Sequence, residues 1–136
     1  MVDVGNCLFC NKGFLKGNTI IYSNKYWNTI YDGFPLTKGH TLIIPKRHIS
    51  SMFNLKLLEI LFLIIAIFQT KNILVKLYHP QGFNLGINDG KVSGQTIMHL
   101  HVHLIPRYEN DGGLPCGIRN IFPKEKANYI NEKRNI

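Results

Sequence analysis

The stretch "IMHLHVHLIPR", residues 97–107, carries histidine at every second position, 99, 101 and 103, with leucine or valine between them. The whole chain holds six histidines, so half of them sit on this one segment. Alternate residues of an extended strand share a face, with Cα atoms about 7 Å apart. A strand over 97–105, stopped by Pro106, turns His99, His101 and His103 one way and Leu100, Val102 and Leu104 into a core. The plain alternative is a polar strand face that happens to be histidine-rich, but solvent faces draw on Lys, Glu, Thr and Ser more readily. Three aligned imidazoles offer metal ligation, nucleophilic attack and proton transfer.

The preceding "NDGKVSGQT" (88–96) is rich in glycine. Gly90 and Gly94 let the backbone approach a ligand, and successive N–H groups can form an anion nest. Gln95 and Thr96 add side-chain donors. An ordinary hairpin looks the same taken alone. Leading directly into three histidines, the loop suggests a phosphate held beside a nucleophilic nitrogen. The ring nitrogen facing away from phosphorus then has to be held as a donor, with a backbone carbonyl as the natural acceptor.

Outward from this segment the pattern is α+β with an antiparallel sheet. "NTIIYSN" (18–24) and "YWNTIYD" (26–32) read as strands joined by a turn at Ser23-Asn24-Lys25, with Trp27 packing in the strand pair. "GFPLTKG" (33–39) is a loop and "HTLIIP" (40–45) a strand ended by Pro45. A helix runs from about Met52 to Tyr78, and a strand covers 82–89. From Leu57 to Phe68 the only charge is Glu59. That stretch is about 18 Å long as a helix, against ~30 Å for a bilayer core, so a buried helix is expected rather than a membrane span. It is apolar nearly all round, which needs a sheet on one side and a second subunit on the other. A homodimer is therefore expected.

The 136 residues suit one domain, 1–129, with a basic tail at 130–136. Hydrophobic residues make up 45% and charged residues 18%, enough for a core without disulfides. The formal charge of +8 favours anionic partners (nucleotides, nucleic acid or acidic membrane surfaces) without choosing among them. Three cysteines, an odd number, and a start without a basic-then-apolar pattern point to a reducing, cytoplasmic compartment.

"HLHVHLI" together with "GQT" just before it, "LIIPKRHI" (42–49) and "YDGFP" resembles the histidine-triad superfamily, over roughly residues 7–129. The segment "GIRNIFPKEKANY" (117–129) is similar to the branch of diadenosine-polyphosphate hydrolases and fragile-histidine-triad proteins. The resemblance implies a sheet of about five strands with one long helix, usually dimeric. It also implies a nucleotidyl hydrolase or transferase acting on purine nucleotide conjugates. His101 would attack the α-phosphorus to form a covalent nucleotidyl-histidine, with His103 beside the phosphate. Asn88, Gln95 and Thr96 would contact phosphate oxygens or the leaving group, with Gly94 lining the same turn. Asp32 would take the ribose hydroxyls, and Leu8, Phe9, Ile30 and Tyr31 would border the base. Gly33 stands where a bulkier apolar residue is common. His40 would be structural.

Cys7 and Cys10 form C-x-x-C, which has metal-ligand spacing but needs two partners. In one branch of the superfamily they are joined by the histidine of the "PKRH" turn, here His48, and the first triad histidine, here His99. The set implies a closed structural zinc site. Metal-free reduced thiols and a redox pair are the other readings of C-x-x-C. Two further functional classes stand beside the hydrolase: a non-catalytic nucleotide-binding regulatory module, and a nucleic-acid-end processing protein. The intact triad argues against the first. The second lacks room for a DNA-binding segment, so a nucleic-acid partner is not expected.

Overall fold

The computed structural model describes residues 4–11, 17–113 and 117–118. Five strands, β1 (Ile20–Ser23), β2 (Trp27–Tyr31), β3 (Thr41–Pro45), β4 (Gly82–Gly86) and β5 (Val102–Arg107), form one antiparallel sheet in the order β1-β2-β3-β5-β4. One long helix, α1 (Leu57–Tyr78), packs on it. The expected α+β architecture, five strands and one long helix, is the one observed. The expected tail boundary at 129/130, the 119–129 part of the branch motif and the third cysteine, Cys116, expected as a free thiol, lie outside the described residues.

Strand alternation creates two unlike faces. On β2, Trp27, Thr29 and Tyr31 face α1. Trp27 Nε1–H donates to the Glu59 carbonyl at 2.8 Å, and the Thr29 and Thr70 hydroxyls meet at 3.0 Å. Trp27, Ile43, Leu63, Ala66, Leu100 and Val102 are fully or nearly buried in the core between sheet and helix. The opposite face carries Ile30, Leu42 and Ile44, covered by Phe9 from the N-terminal segment. Because β3 is covered on both sides, all five of its residues are buried.

The helix starts later than expected. Met52–Asn54 is a separate 3-10 turn capped by Ser51 Oγ, and α1 begins at Leu57, where Glu59 accepts from the Lys56 backbone N–H at 2.8 Å. Its buried stripe is Glu59, Leu63, Ala66, Thr70 and Leu74, at three- and four-residue spacing. In the single chain the sheet covers one side of the helix and leaves the other open. Leu57, Leu58, Leu61, Ile64, Ile65 and Phe68 stand exposed, because one sheet covers only one stripe of a cylinder. By length and composition alone α1 could cross a membrane; here it is the packing helix of the sheet. It ends at His79, which takes the left-handed conformation (φ 51°) just before Pro80. The return to β3 needs Gly39 (φ 86°), where a Cβ would come within 2.7 Å of the Tyr78 ring.

The decisive segment departs from the simple strand. Ladder pairing with β3 ends at Ile43↔Val102, so His99 and His101 precede β5 rather than lying in it. The next carbonyl, Pro45 O, is taken by the His99 ring at 2.9 Å, and Leu100 N–H turns to Ile49 O at 2.6 Å. Pro106 does not stop the strand, which runs to Arg107. Pro106 lies beyond the β3 ladder, where its carbonyl accepts from Thr37 Oγ at 2.6 Å and its missing N–H breaks no bond. The strand expected over 82–89 closes at Gly86, which leaves Asn88 and Asp89 in the following loop.

Candidate active site and metal centre

Aromatic rings form a continuous row across the site. His48 meets His99 at 4.9 Å between centroids, His101 meets His103 at 5.1 Å, and His103 meets His40 at 5.2 Å. Phe9 bridges the remaining gap, edge-on to His99 at 5.7 Å and to His101 at 5.4 Å. The triad thus keeps its order although His99 and His101 precede the strand, and Leu100, Val102 and Leu104 are buried behind it.

The hydrogen bonds determine where protons sit. His101 Nδ1 lies 2.9 Å from the His99 carbonyl. A carbonyl only accepts, so Nδ1 carries the proton and Nε2 keeps the lone pair. His40 Nδ1 accepts from Leu36 N–H at 3.1 Å, so the neutral ring is protonated at Nε2. That Nε2–H points at His103 Nδ1, 2.9 Å away, and leaves the proton of His103 on its Nε2. Asp32 Oδ2 completes the group at 3.4 Å from His40 Nε2 and 3.8 Å from His103 Nδ1. Burial, then the neighbouring His101 and His40 rings, push His103 down to about 4 against the opposing pull of Asp32. Burial lowers His40 as well, again opposed by Asp32. Asp32, His40 and His103 could gather a metal ion by proximity. A metal on His40 Nε2 would require a proton on Nδ1, which the Leu36 N–H already addresses. The trio is therefore a hydrogen-bonded relay. Sequence reasoning left His40 as structural. The signal was the alternation His40, Leu42, Ile44, which puts His40 on the site face of β3.

A second cluster joins Cys7, Cys10, His48 and His99, whose ligand atoms all lie within 4.8 Å of one another. His99 Nδ1 is 3.4 Å from both sulfurs, and His48 Nδ1 is 3.1 Å from Cys10 Sγ. A tetrahedral zinc site has S···N edges of roughly 3.5 Å, given Zn–S near 2.3 Å and Zn–N near 2.0 Å. His99 donates its other ring N–H to Pro45 O, which leaves Nδ1 as the lone-pair nitrogen facing the thiols, the tautomer a metal requires. His48 Nε2 is buried without a hydrogen-bond partner among the described residues, so the ring has its polar anchor only on the cluster side. Burial, followed by the hydrogen bond and charge of Cys7, pushes the Cys10 thiol up to about 11. Two thiols and two imidazoles so placed fit a metal ion, which would take up the thiolate charge.

The Gly-rich loop differs from the expected anion nest. Ser93 N–H and Gln95 N–H bond back to Gly90 O, and Gly94 N–H to Lys91 O, closing a 3-10 turn with Gly90 and Gly94 at φ near 90°. Those donors are spent within the loop. Gln95 braces it: Oε1 accepts from Gly90 N–H at 2.8 Å and Nε2 donates to Ser50 O at 2.9 Å. Asn88 is exposed, and its amide lies beside Gly94. Thr96 is exposed and lines a cleft of about 350 Å³ with Asn6, Leu8, His48 and Met98. A cleft of about 440 Å³ lies at the other end of the ring row, lined by Asp32, Leu36, Lys38 and His40. His101 sits between the two in that row, 6% exposed.

The base-bordering set is only partly brought together. Ile30 and Phe9 share the site face, Leu8 lies exposed on the smaller cleft, and Asp32 reaches the relay. Tyr31 is corrected. It is one residue from Ile30 on a strand, so it projects to the helix face and accepts a hydrogen bond from Tyr78 at 2.9 Å. Burial and that partner push its phenol up to about 12.

The fold and ring row define a protein of the histidine-triad class. The HIT domain family model matches residues 16–110, and this chain belongs to that family. An uncharacterized HIT-like protein of Methanocaldococcus jannaschii is 35% identical over 109 residues, 78% of this chain and 82% of that protein. A bis(5'-nucleosyl)-tetraphosphatase [asymmetrical] of Schizosaccharomyces pombe is 32% identical over 98 residues, 72% of this chain and 54% of that one. Among solved structures, a Zn-bound histidine triad family protein from Mycobacterium smegmatis superposes with a TM-score of 0.70 at 30% identity, covering 79% of each chain.

Proposed function

We propose that the chain is a nucleotidyl hydrolase working through His101 on purine nucleotides with a substituted α-phosphate. Diadenosine polyphosphates come first as the substrate class and nucleoside phosphoramidates second. The observation that carries this reading is the 2.9 Å bond from His101 Nδ1–H to His99 O, which makes Nε2 the nucleophilic nitrogen. Its lone pair attacks the α-phosphorus. The bond from phosphorus to the leaving oxygen or nitrogen breaks, and the leaving group takes the electron pair and, where it is an amine, a proton from solvent. Water then attacks phosphorus, the N–P bond breaks, the water's proton passes to solvent, and the neutral ring returns. The relay keeps His103 neutral with a proton on Nε2, a preorganised donor for the charge growing on the phosphoryl oxygens. Thr96 and Asn88, exposed beside the site, are the side chains for the leaving group and phosphate, and Asp32 is the one for the ribose.

Cys7, Cys10, His48 and His99 would hold zinc, which with four protein ligands supplies structure rather than an open catalytic position. The exposed face of α1, Leu57 to Phe68, is the surface for a second copy in a homodimer, and sedimentation at micromolar concentration tests it. The similarity to the tetraphosphatase supports the substrate class. The decisive experiment offers radiolabelled diadenosine tetraphosphate and an adenosine phosphoramidate and looks for an acid-labile nucleotidyl adduct on His101. The adduct is expected in the wild type and absent in His101→Ala. Full hydrolysis by His101→Ala rules the mechanism out.

The 6% exposure of His101 favours a second reading, a nucleotide-binding module that barely turns over. Tight nucleotide binding without steady-state turnover would establish it.

A further inference from the structure

We propose that Phe9 is a positioning residue for His101, seated by the metal-binding turn that carries it. Phe9 lies inside C-x-x-C, in the 3-10 turn Leu8–Cys10 that Cys10 N–H and Asn11 N–H close onto Cys7 O at 3.2 Å. Its ring is buried against Ile30, Leu42 and Ile44 and stands at 89° to His99 and 67° to His101. The cysteines on either side of it reach His99 Nδ1 at 3.4 Å.

Two routes therefore run from the thiol–imidazole cluster to one ring. The first passes through the His99 backbone, whose carbonyl fixes the proton on His101 Nδ1. That bond leaves the ring free to tilt about its own hydrogen-bond axis. The second passes through Phe9. His101 meets Phe9 at 67° and His103 at 68°, both with centroids within 5.4 Å, so two tilted neighbours limit how far the imidazole plane can turn. The electropositive edge or negative face of a ring favours such tilted pairs over random contact. A metal bound to both cysteines locks the three-residue turn, and with it the Phe9 wedge. The metal centre thus sets the aim of Nε2 without touching substrate. This deepens the hydrolase reading and rests on it only for the kinetic arm of the test.

The test uses the full-length protein with ¹⁵N-labelled histidine rings, read at fixed pH by two-bond ¹H–¹⁵N spectra. Wild type, Phe9→Leu and Phe9→Ala are compared, each loaded with zinc and after chelation. Chelation is expected to move the His48 and His99 signals in all three. It is expected to move His101 strongly in wild type and Phe9→Leu, and much less in Phe9→Ala. In the kinetic arm, Phe9→Ala lowers kcat by up to about 10²-fold, the cost of an ångström-scale misplacement, with KM within about twofold, and Phe9→Leu recovers most of it. A His101 signal indifferent to chelation, or one that responds equally in Phe9→Ala, overturns the proposal. So does a rise in KM at constant kcat, which would make Phe9 a base contact instead. Zinc that leaves His48 and His99 unmoved overturns the clasp. If wild type turns nothing over, the hydrolase reading fails while the spectra still decide the positioning.

Discussion

His99 and His101 are joined twice within three residues: the carbonyl of the first accepts Nδ1–H of the second at 2.9 Å, and the rings share Phe9 between them. One residue thus faces the thiol pair with its ring and governs the neighbouring imidazole with its backbone. Disturbing the cluster should be felt at His101, and disturbing the relay on the other side should be felt at His103.

Metal removal should destabilise the fold. A ligand that binds only the native state, at a free concentration 100-fold above its Kd, contributes about 2.7 kcal/mol. For a chain of this size that is roughly 5–10 °C in Tm. Chelation of the as-isolated protein should lower Tm by that order, and Cys10→Ser should start low and be insensitive to chelator. Calorimetry alongside elemental analysis checks both.

His40→Ala should slow turnover by about 10²-fold, the usual effect of losing one preorganised donor, because His103 loses the partner that fixes its proton on Nε2. His40→Gln offers an oxygen to Leu36 N–H and an N–H to His103, so it should retain more activity than alanine. Single-turnover rates on a fluorogenic nucleotide ester compare the two.

His103 makes stability depend on pH in a defined direction. Its value is about 4 in the fold against 6.5 unperturbed, so between those pH values the unfolded chain holds more protons. Stability is full above about pH 6.5 and is lost as pH falls toward 4. Urea midpoints at pH 7, 5.5 and 4.5 should decline in the wild type. His103→Gln should flatten the decline, though not abolish it, since burial lowers His40 and His99 in the same direction.

The buried Thr29–Thr70 pair ties α1 to β2. Thr70→Val alone strands the Thr29 hydroxyl in the core and should cost about 1–3 kcal/mol. The double variant Thr29→Val, Thr70→Val removes both polar groups and should cost less than the sum of the singles. A denaturant double-mutant cycle measures the coupling.

Much of the site was legible because alternation in an extended backbone is a local property. Spacing by two was enough to put His99, His101 and His103 in one row and Leu100, Val102 and Leu104 behind it. The same rule, applied to Ile30 and Tyr31, separates their side chains onto opposite faces, with the Tyr31 phenol against Tyr78 although the residue still lines the cleft beside Asp32. The loop at 90–96 was legible as a tight glycine turn. Its expected nest was not, because whether an N–H is free depends on which carbonyl the closed turn brings to it.

Sequence alone determined the α+β class, the long apolar helix, the histidine row and the C-x-x-C, all of which are written in periods of two, three or four residues. Tertiary structure alone decided the proton positions, the pairing of His40 with His103 across 63 residues, and the meeting of Cys7 with His99 across 92. It also decided that Phe9 would stand between the thiol–imidazole cluster and His101. Those outcomes depend on which distant backbone carbonyl or ring arrives within about 3–5 Å, and no local pattern encodes that.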